Sequence, residues 1–508
     1  MNKFRAFYNS NPLTVILFFA FLARLISSIF SRGYGMIDDQ FLVIEPVQNW
    51  IDGQNIHGWL PDASNPDAKP AGFSMLYPGL HYYFFFLLEK IGIFNPESKM
   101  LVVRFIHALL SLLVVRFGYK IAEKLGGKTN AEYVGWMLAL LWYIPMMSVR
   151  NLVEMVCIVP LIYATWLIVK SDLNQNKLIF WAGIFAGIAF SIRFQTATFI
   201  GGLGLVMFFQ KRWLSCFAFG SGALLSIIAV QGGIDYFVWG QPFIQFQAYT
   251  SYNVANAYNY IIGPWYNYLL LIPGLMVPPL GLFLFFGFIL SFRKHPMLFY
   301  PSLLFIVFHS FFPNKQERFI LPVLPFVIIA GVLGWTQFVA QSTYWQNRKV
   351  LLRGLTTFSV VANLILLAFL SPASTRLSLV DSMIFLSDKP QNDCLIIENS
   401  NNGNDILLPR FYLRKWAAYI VIRNDFSASD LKKQIDQKDE KDGCKDFRYV
   451  LFGQSENLDK RVAEFETSFS KLEFVTQIES SYLDRFMHWL NPYGNKNQDY
   501  FIYQKKDR

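Results

Sequence analysis

The sequence predicts a polytopic helical membrane protein that ends in a small soluble α/β domain. Of its 508 residues 54% are hydrophobic and 16% are charged, and the apolar residues form long segments separated by basic loops. A soluble protein of this length would have a smaller apolar share and more charge. The net charge of +10 does not indicate nucleic-acid binding, because basic residues are typical of the cytoplasmic loops of membrane proteins.

The apolar segments predict about eleven membrane spans, since a span needs roughly 20 residues. The predicted spans are 13–30, 100–119, 132–149, 152–170, 178–192, 195–210, 213–231, 268–290, 297–312, 319–340 and 350–371. With a cytoplasmic N-terminus, every loop on the cytoplasmic side contains Lys or Arg, as the positive-inside rule requires. Residues 77–91 are apolar but short and aromatic, and we expect them to form a helix in the interface.

Two domains are predicted. Residues 1–371 form the membrane domain, within which 31–99 is the first outer loop, and residues 372–508 form the tail. The tail has strand patterns at 394–398, 418–422, 448–452, 474–478 and 500–503, with helical patterns at 429–437 and 458–468. This alternation predicts a small extracytoplasmic α/β domain. Cys394 and Cys444 could pair if the tail is outside the cytoplasm.

An acid cluster follows the first span. Asp38, Asp39 and Glu45 lie within eight residues beside apolar side chains. They predict a general base on a catalytic loop at the membrane surface. The alternative is an N-cap Asp that opens a short amphipathic helix, with two solvated acids behind it. In a helix Asp38 and Glu45 would be two turns apart on one face, although Pro46 disfavours helix at Glu45.

Basic residues outside the cytoplasmic loops are candidate phosphate ligands. Lys315 and Arg318 lie between two apolar segments, where they would either bind a lipid phosphate or anchor a span at the interface. Arg193 is isolated near membrane depth, which indicates a functional role, with snorkelling as the alternative. The six histidines are scattered and no Cys/His cluster has zinc-like spacing, so no metal site and no cofactor are expected.

The loop at 240–268 is rich in Tyr, Asn, Gln and Trp. Aromatic faces and amide side chains suit sugar stacking and hydroxyl recognition. The alternative is an aromatic belt at the membrane interface.

Three blocks of sequence resemble one enzyme family. IDDQFLVIEP, which starts at Ile37, is similar to the PDExFxxxEP signature of the α-mannosyltransferases that use dolichyl-phosphate mannose, members of the GT-C superfamily. NKQERFILPVLP resembles the family's HKEERFxxPxxP, and Tyr252-Asn253-Val254 with Pro264-Trp265-Tyr266-Asn267-Tyr268 resembles its NV…GxxPWxWY region. The blocks occur in the family's order. Met36-Ile37 replaces its His-Pro, Asp39 replaces its Glu, and Asn314 replaces its His.

The resemblance implies an inverting GT-C glycosyltransferase that moves a hexose, with mannose expected, from a polyprenyl-phosphate sugar to a glycan or lipid-linked acceptor. Asp38 would be the general base, assisted by Asp39 or Glu45. Cationic side chains would stabilise the departing lipid phosphate; these are Lys315, Arg318 and Arg193. The implied substrate contacts are Tyr252, Asn253, Trp265, Tyr268 and Glu317.

The expected partners are the polyprenyl-phosphate donor, the acceptor and membrane lipid, without nucleic acid. The expected location is the plasma (inner) membrane or the ER membrane, with the active site on the periplasmic or luminal side. The first alternative is another lipid-linked donor, as in aminoarabinose or protein-mannose transferases. The second is a lipid or glycan transporter, which would place charges and broken helices at mid-membrane. The third is a non-catalytic scaffold. Acids concentrated in an outer loop favour the enzyme.

Overall fold

The computed structural model describes residues 2–63, 65–390, 394–402, 405–437, 444 and 447–506. The chain forms two compact units. The first unit comprises Met1–Ile29, Asn55–Phe84 and Leu101–Pro372, and the second comprises Phe30–Gln54, Phe85–Met100 and Ala373–Arg508. The segment with the acid cluster therefore belongs to the same unit as the tail.

Helices form almost all of the regular structure before the tail. Their bounds are Asn2–Ser10, Pro12–Phe30, Ile37–Asp39, Gln40–Ile44, Glu45–Ile51, Leu76–Lys90, Pro96–Leu140, Ile144–Ser148, Val153–Val156, Ile158–Ser171, Asn176–Ile192, Phe194–Thr196, Ala197–Phe209, Trp213–Ile227, Ile228–Gly232, Gly233–Trp239, Ile244–Ala255, Asn267–Leu275, Leu280–Leu290, Pro296–Phe311, Glu317–Val323, Leu324–Gln341, Thr343–Asn347 and Lys349–Leu370.

Six helices in the described residues are long and apolar enough to cross a membrane, and a bent pair would make a seventh span. They are Pro12–Phe30, Pro96–Leu140, Val153–Ser171, Trp213–Trp239, Glu317–Gln341 and Lys349–Leu370, and the bent pair is Asn267–Leu275 with Leu280–Leu290. The protein is an integral membrane protein. Three shorter apolar helices lie where further spans are expected, at Asn176–Ile192, Phe194–Phe209 and Pro296–Phe311. The number eleven stays a prediction.

One predicted loop is a single-residue break. Sequence patterning separates spans 100–119 and 132–149 by a basic loop, but the structure continues helically through Pro96–Leu140 except at Gly127. Gly127 has φ 78° and ψ 179°, a backbone conformation that glycine adopts at little steric cost. The chain therefore changes direction at this one residue, and the lysines of the predicted basic loop lie on helical backbone.

Glycines and one buried arginine hold helices of the first unit together. Asn176–Ile192 and Trp213–Ile227 approach so closely that a Cβ on Gly183 would overlap a backbone carbonyl of the other helix, as expected for small residues at membrane helix interfaces. Arg24 is 1% exposed. It donates to the carbonyls of Leu138 at 3.0 Å and Ala139 at 2.9 Å, which satisfies carbonyls at the end of Pro96–Leu140.

The tail contains a five-stranded sheet. Its strands are β1 Cys394–Glu398, β2 Ala418–Ile422, β3 Tyr449–Gly453, β4 Leu472–Ile478 and β5 Tyr500–Lys505, in the order β2-β1-β3-β5-β4. β1 is parallel to both β2 and β3, whereas β5 is antiparallel to β3 and β4. The accompanying helices are Leu377–Ser387, Arg410–Leu413, Ala428–Gln437, Leu458–Ser468 and Tyr482–Leu490. The predicted α/β tail is confirmed.

The central strands are the most apolar. All five residues of β1 and of β3 are buried, as expected for parallel strands covered on both faces. Ile396, Val450, Phe452, Phe465 and Phe501 belong to the buried core beneath the sheet. Phe465 belongs to the helix Leu458–Ser468, so this core joins that helix to the sheet.

A disulfide joins Cys394 at the start of β1 to Cys444, 50 residues further along the chain. The predicted pairing is present. Replacing both cysteines by serine is expected to lower the unfolding free energy of the tail by roughly 2–4 kcal/mol, because the bridge restricts the unfolded chain. Thermal unfolding of the purified protein measures this, with Cys216→Ser as the control that keeps the bridge. Unchanged melting of wild type on adding reductant would contradict the prediction.

Candidate active site

The acid cluster lies on consecutive helical segments from Ile37 to Ile51. Glu45 has helical φ −57° and ψ −54° although Pro46 follows it, so the expectation that Pro46 disfavours helix at Glu45 is wrong. The turn before it is widened, and the Glu45 N–H donates to the carbonyl of Gln40, five residues earlier. A widened turn relieves the clash between a proline ring and the preceding turn.

Asp39 is a capping residue. Its side chain is 4% exposed. Its carboxylate accepts the backbone N–H groups of Gly35 at 3.0 Å and Met36 at 3.2 Å, which are donors left open before the first turn. Asp38, the preceding residue, is half-buried. Asp39 thus closes the turn that positions Asp38.

Glu45 is buried at 2% exposure. Its Oε1 accepts the Gln40 side-chain amide at 2.9 Å and the backbone N–H of Phe411 at 3.1 Å. Burial raises the pKa of Glu45 from 4.5 to about 7, opposed by these two hydrogen bonds and by the charge of Arg410. Glu45 therefore exchanges a proton near neutral pH while it joins the acid segment to the tail.

This raised pKa makes stability pH-dependent. The folded state holds the Glu45 proton up to about pH 7 and the unfolded state only to about 4.5, so the unfolding free energy should fall by about 3 kcal/mol as pH rises through this interval. Glu45→Gln keeps an acceptor for both donors and should flatten the profile. Thermal unfolding between about pH 5 and pH 8 tests it, with the exposed Glu464→Gln as control. An equally steep profile in Glu45→Gln would refute this origin.

Two arginines meet at a buried acid in the first unit. The Nη2 of Arg193 lies 2.9 Å and the Nε of Arg318 lies 3.6 Å from Oε1 of Glu154, which is 1% exposed. Both guanidinium groups lie over the ring of Phe319, at 5.4 and 5.6 Å. Arg318 also donates to the Gln316 side chain at 2.8 Å. Two guanidinium groups held close together in this way suit an anionic ligand.

Lys315 is 4% exposed and bonds to the end of the helix Pro296–Phe311. Its Nζ donates to the carbonyls of His309 and Ser310, each at 2.9 Å, and to that of Phe312. These bonds use the three donors of an ammonium group. Tyr268 lies beneath it, 5.8 Å from Nζ to the ring centroid. In this arrangement Lys315 stabilises a helix C-terminus.

The predicted substrate contacts fall into buried and exposed groups. Tyr268 is 0% exposed, and its hydroxyl donates to the Gln316 carbonyl at 2.9 Å, so it positions the 315–318 segment. The Asn253 side chain donates to the carbonyl of Tyr249 at 2.8 Å. The exposed members are Tyr252 at 51%, Trp265 at 57% and Glu317. The three exposed members and the half-buried Asn253 are accessible to a substrate as they stand, whereas Tyr268 is not.

The sequence prediction missed Glu154. The signal was present, because an acid within the apolar segment 152–170 is unfavourable in a bilayer unless it is paired.

In the described residues no three His, Cys, Asp or Glu side chains are grouped to hold a metal ion.

The first unit also contains an apolar cavity of about 470 Å³. Its lining includes Tyr163, Phe185, Ile188, Leu324 and Pro325. Such a lining suits an alkyl or isoprenoid chain.

Known proteins share both the sequence pattern and the fold. A family model described as the Alg9-like mannosyltransferase family matches residues 15–402, more than half of the chain. GPI mannosyltransferase 3 of Debaryomyces hansenii is 22% identical over 405 residues, covering 75% of this chain and 69% of that protein.

Solved structures show the same fold. ArnT from Cupriavidus metallidurans, crystallised with undecaprenyl phosphate, superposes with a TM-score of 0.61 at 13% identity, covering 97% of this chain and 98% of ArnT. An oligosaccharyltransferase of Archaeoglobus fulgidus gives a TM-score of 0.51 at 12% identity, covering 89% of this chain and 69% of that one. The predicted GT-C fold class is confirmed.

Proposed function

The chain belongs to the Alg9-like mannosyltransferase family, and from this premise we propose that it transfers mannose from a polyprenyl phosphate to a glycan or glycolipid acceptor, with inversion. It is a membrane glycosyltransferase, as the family and the related GPI mannosyltransferase 3 establish. The observation that carries the finer proposal is the half-buried Asp38 on a helical turn closed by Asp39.

Asp38 acts as the general base. Its carboxylate takes the proton of an acceptor hydroxyl while that oxygen attacks the anomeric carbon of the donor sugar. The bond between this carbon and the phosphate oxygen breaks, and polyprenyl phosphate leaves with the electron pair. A single displacement of this kind inverts the anomeric centre. Asp39 holds the turn of the base, and Glu45 holds the segment against the tail.

Arg193 and Arg318 stabilise the leaving phosphate. Their guanidinium groups are fixed by Glu154 and by stacking over Phe319, and preorganised cations lower the energy of a charge that develops in the transition state. Lys315 supports them indirectly through the segment it shares with Arg318. The apolar cavity accommodates part of the lipid chain.

The reaction takes place on the periplasmic or luminal side of the plasma or ER membrane. The disulfide of the tail supports this side, because such bonds persist in oxidising compartments. The exposed Tyr252, Trp265 and Glu317 provide stacking and hydrogen-bonding surfaces for sugar.

Donor specificity tests the proposal. Purified protein is incubated with labelled polyprenyl-phosphate mannose, glucose or aminoarabinose, and a lipid extract serves as acceptor. We expect label transfer from the mannose donor alone, with release of polyprenyl phosphate. Transfer from aminoarabinose alone would assign another GT-C reaction. Movement of intact labelled donor between leaflets without transfer would assign a transporter.

A further inference from the structure

A polar cavity of about 460 Å³ lies wholly within the second unit, and its volume is that of a small-molecule site. Amide and aromatic side chains are prominent in its lining, which includes Tyr34, Arg376, Asn399, Gln454, Asn497 and Gln498. Amides both donate and accept hydrogen bonds, and so match the hydroxyl groups of sugars.

The cavity lies where an open α/β sheet binds ligands. Asn399 directly follows β1 and Gln454 directly follows β3, so both stand at the carboxyl ends of neighbouring parallel strands. β2 pairs with the opposite edge of β1, and the direction of strand order therefore reverses between β1 and β3. Ligands of open α/β sheets bind in the crevice at such a switch point.

Gln454 is arranged for a ligand. Gln454 is 4% exposed and lines the cavity. The backbone φ is 67° at Gln454 and 52° at Arg376. Residues other than glycine rarely adopt this left-handed conformation, and it is often found at binding sites. The side-chain amide of Gln454 can both donate a hydrogen bond to a ligand hydroxyl and accept one from it.

The charges around the cavity favour a neutral ligand. The lining contains Arg376 and Lys496 together with Asp405 and Asp499, and beyond the lining Asp405 pairs with Arg423 at 2.8 Å while Asp484 lies near Arg376, so acids and bases are equal in number. The Arg376 guanidinium lies 5.4 Å from the centroid of the Tyr34 ring, and the Asp499 carboxylate accepts the backbone N–H of Ser480 at 2.7 Å. A balanced set of charges gives no net attraction for a phosphate.

The cavity adjoins the acid cluster. Tyr34 and Ile37 line it, and Ile37 is followed directly by Asp38. We propose that this cavity binds the non-reacting mannose residues of a neutral glycan acceptor, and thereby presents the reacting hydroxyl to Asp38. This inference rests on the proposed function and assigns the acceptor to the carboxyl edge of the tail sheet.

Two amide-to-leucine substitutions test the site in the full-length protein. Gln454→Leu removes the buried amide, and Gln498→Leu removes a half-buried one whose loss is less able to disturb folding. Gln477→Leu, on the exposed face of β4, is the matched control. Binding of free α-mannotriose and the acceptor KM are measured for each. We expect each cavity variant to lower mannotriose affinity and raise the acceptor KM by about five- to tenfold, and the control to match wild type.

The outcomes separate the inference from the function. If wild type transfers mannose and both correctly folded variants keep wild-type affinity and KM, the cavity is not the acceptor site and the function stands. If wild type transfers no mannose but binds mannotriose, and Gln454→Leu or Gln498→Leu weakens that binding, the glycan site is supported while the proposed reaction fails. Binding of inorganic phosphate without mannotriose would overturn the inference.

Discussion

Asp38→Asn is expected to reduce mannose transfer by about 10²–10⁴-fold, the usual contribution of a general base. The amide of asparagine has nearly the shape of the carboxylate but does not accept a proton at neutral pH. The turn should persist, since it is closed by the Asp39 carboxylate and the N–H groups of Gly35 and Met36. The measurement is the initial rate of transfer from labelled polyprenyl-phosphate mannose.

Asp459→Asn is the matched control, because it makes the same change on an exposed helix of the tail. Its rate should equal that of wild type. The melting temperature of Asp38→Asn should stay within a degree or two of wild type, as expected for a partly exposed side chain. A rate above about one tenth of wild type in a folded Asp38→Asn protein would be too high for loss of the base.

Arg318→Gln is expected to lower kcat by about 10²–10³-fold and to weaken donor binding, because a fixed cation is lost from the leaving phosphate. After the substitution Arg193 is the guanidinium that remains beside Glu154. Steady-state kinetics with varied donor measure both effects.

Arg353→Gln makes the same change on an exposed residue of the helix Lys349–Leu370 and should behave as wild type. Arg318→Lys keeps the charge but loses the planar fork, and an intermediate rate is expected. Wild-type kcat and donor KM in Arg318→Gln would remove this arginine from the mechanism.

The tail was predictable from sequence because its local signals are strong. Apolar runs such as 394–397 are uninterrupted and bounded by polar residues, and the helix at 458–468 has a clear apolar face. Hydropathy likewise predicted an integral membrane protein, while the number of eleven spans stays a prediction. The break at Gly127 was predicted only as a longer loop between spans 100–119 and 132–149, because neither glycine of the Gly126-Gly127 pair specifies its φ.

The candidate site was predictable in its residue types more than in their roles. Acids in an outer loop and cations beside apolar segments are unusual enough to identify from composition. That Asp39 caps a turn, or that Lys315 bonds to three carbonyls, depends on where the backbone turns. Glu45 accepts a hydrogen bond from the backbone N–H of Phe411, which lies 366 residues further along the chain. No local sequence pattern indicates this pairing.

The hydrogen bond between Glu45 and Phe411 also orders events during synthesis. At translation rates of about 5–20 residues per second, the ribosome needs roughly 20–70 seconds to make the 366 residues between them. During this interval the acid segment lacks the partner that holds it, although the first membrane helices are already complete. The active enzyme therefore forms only after the last quarter of the chain has been made. A protein truncated before the tail should insert into the membrane without becoming active.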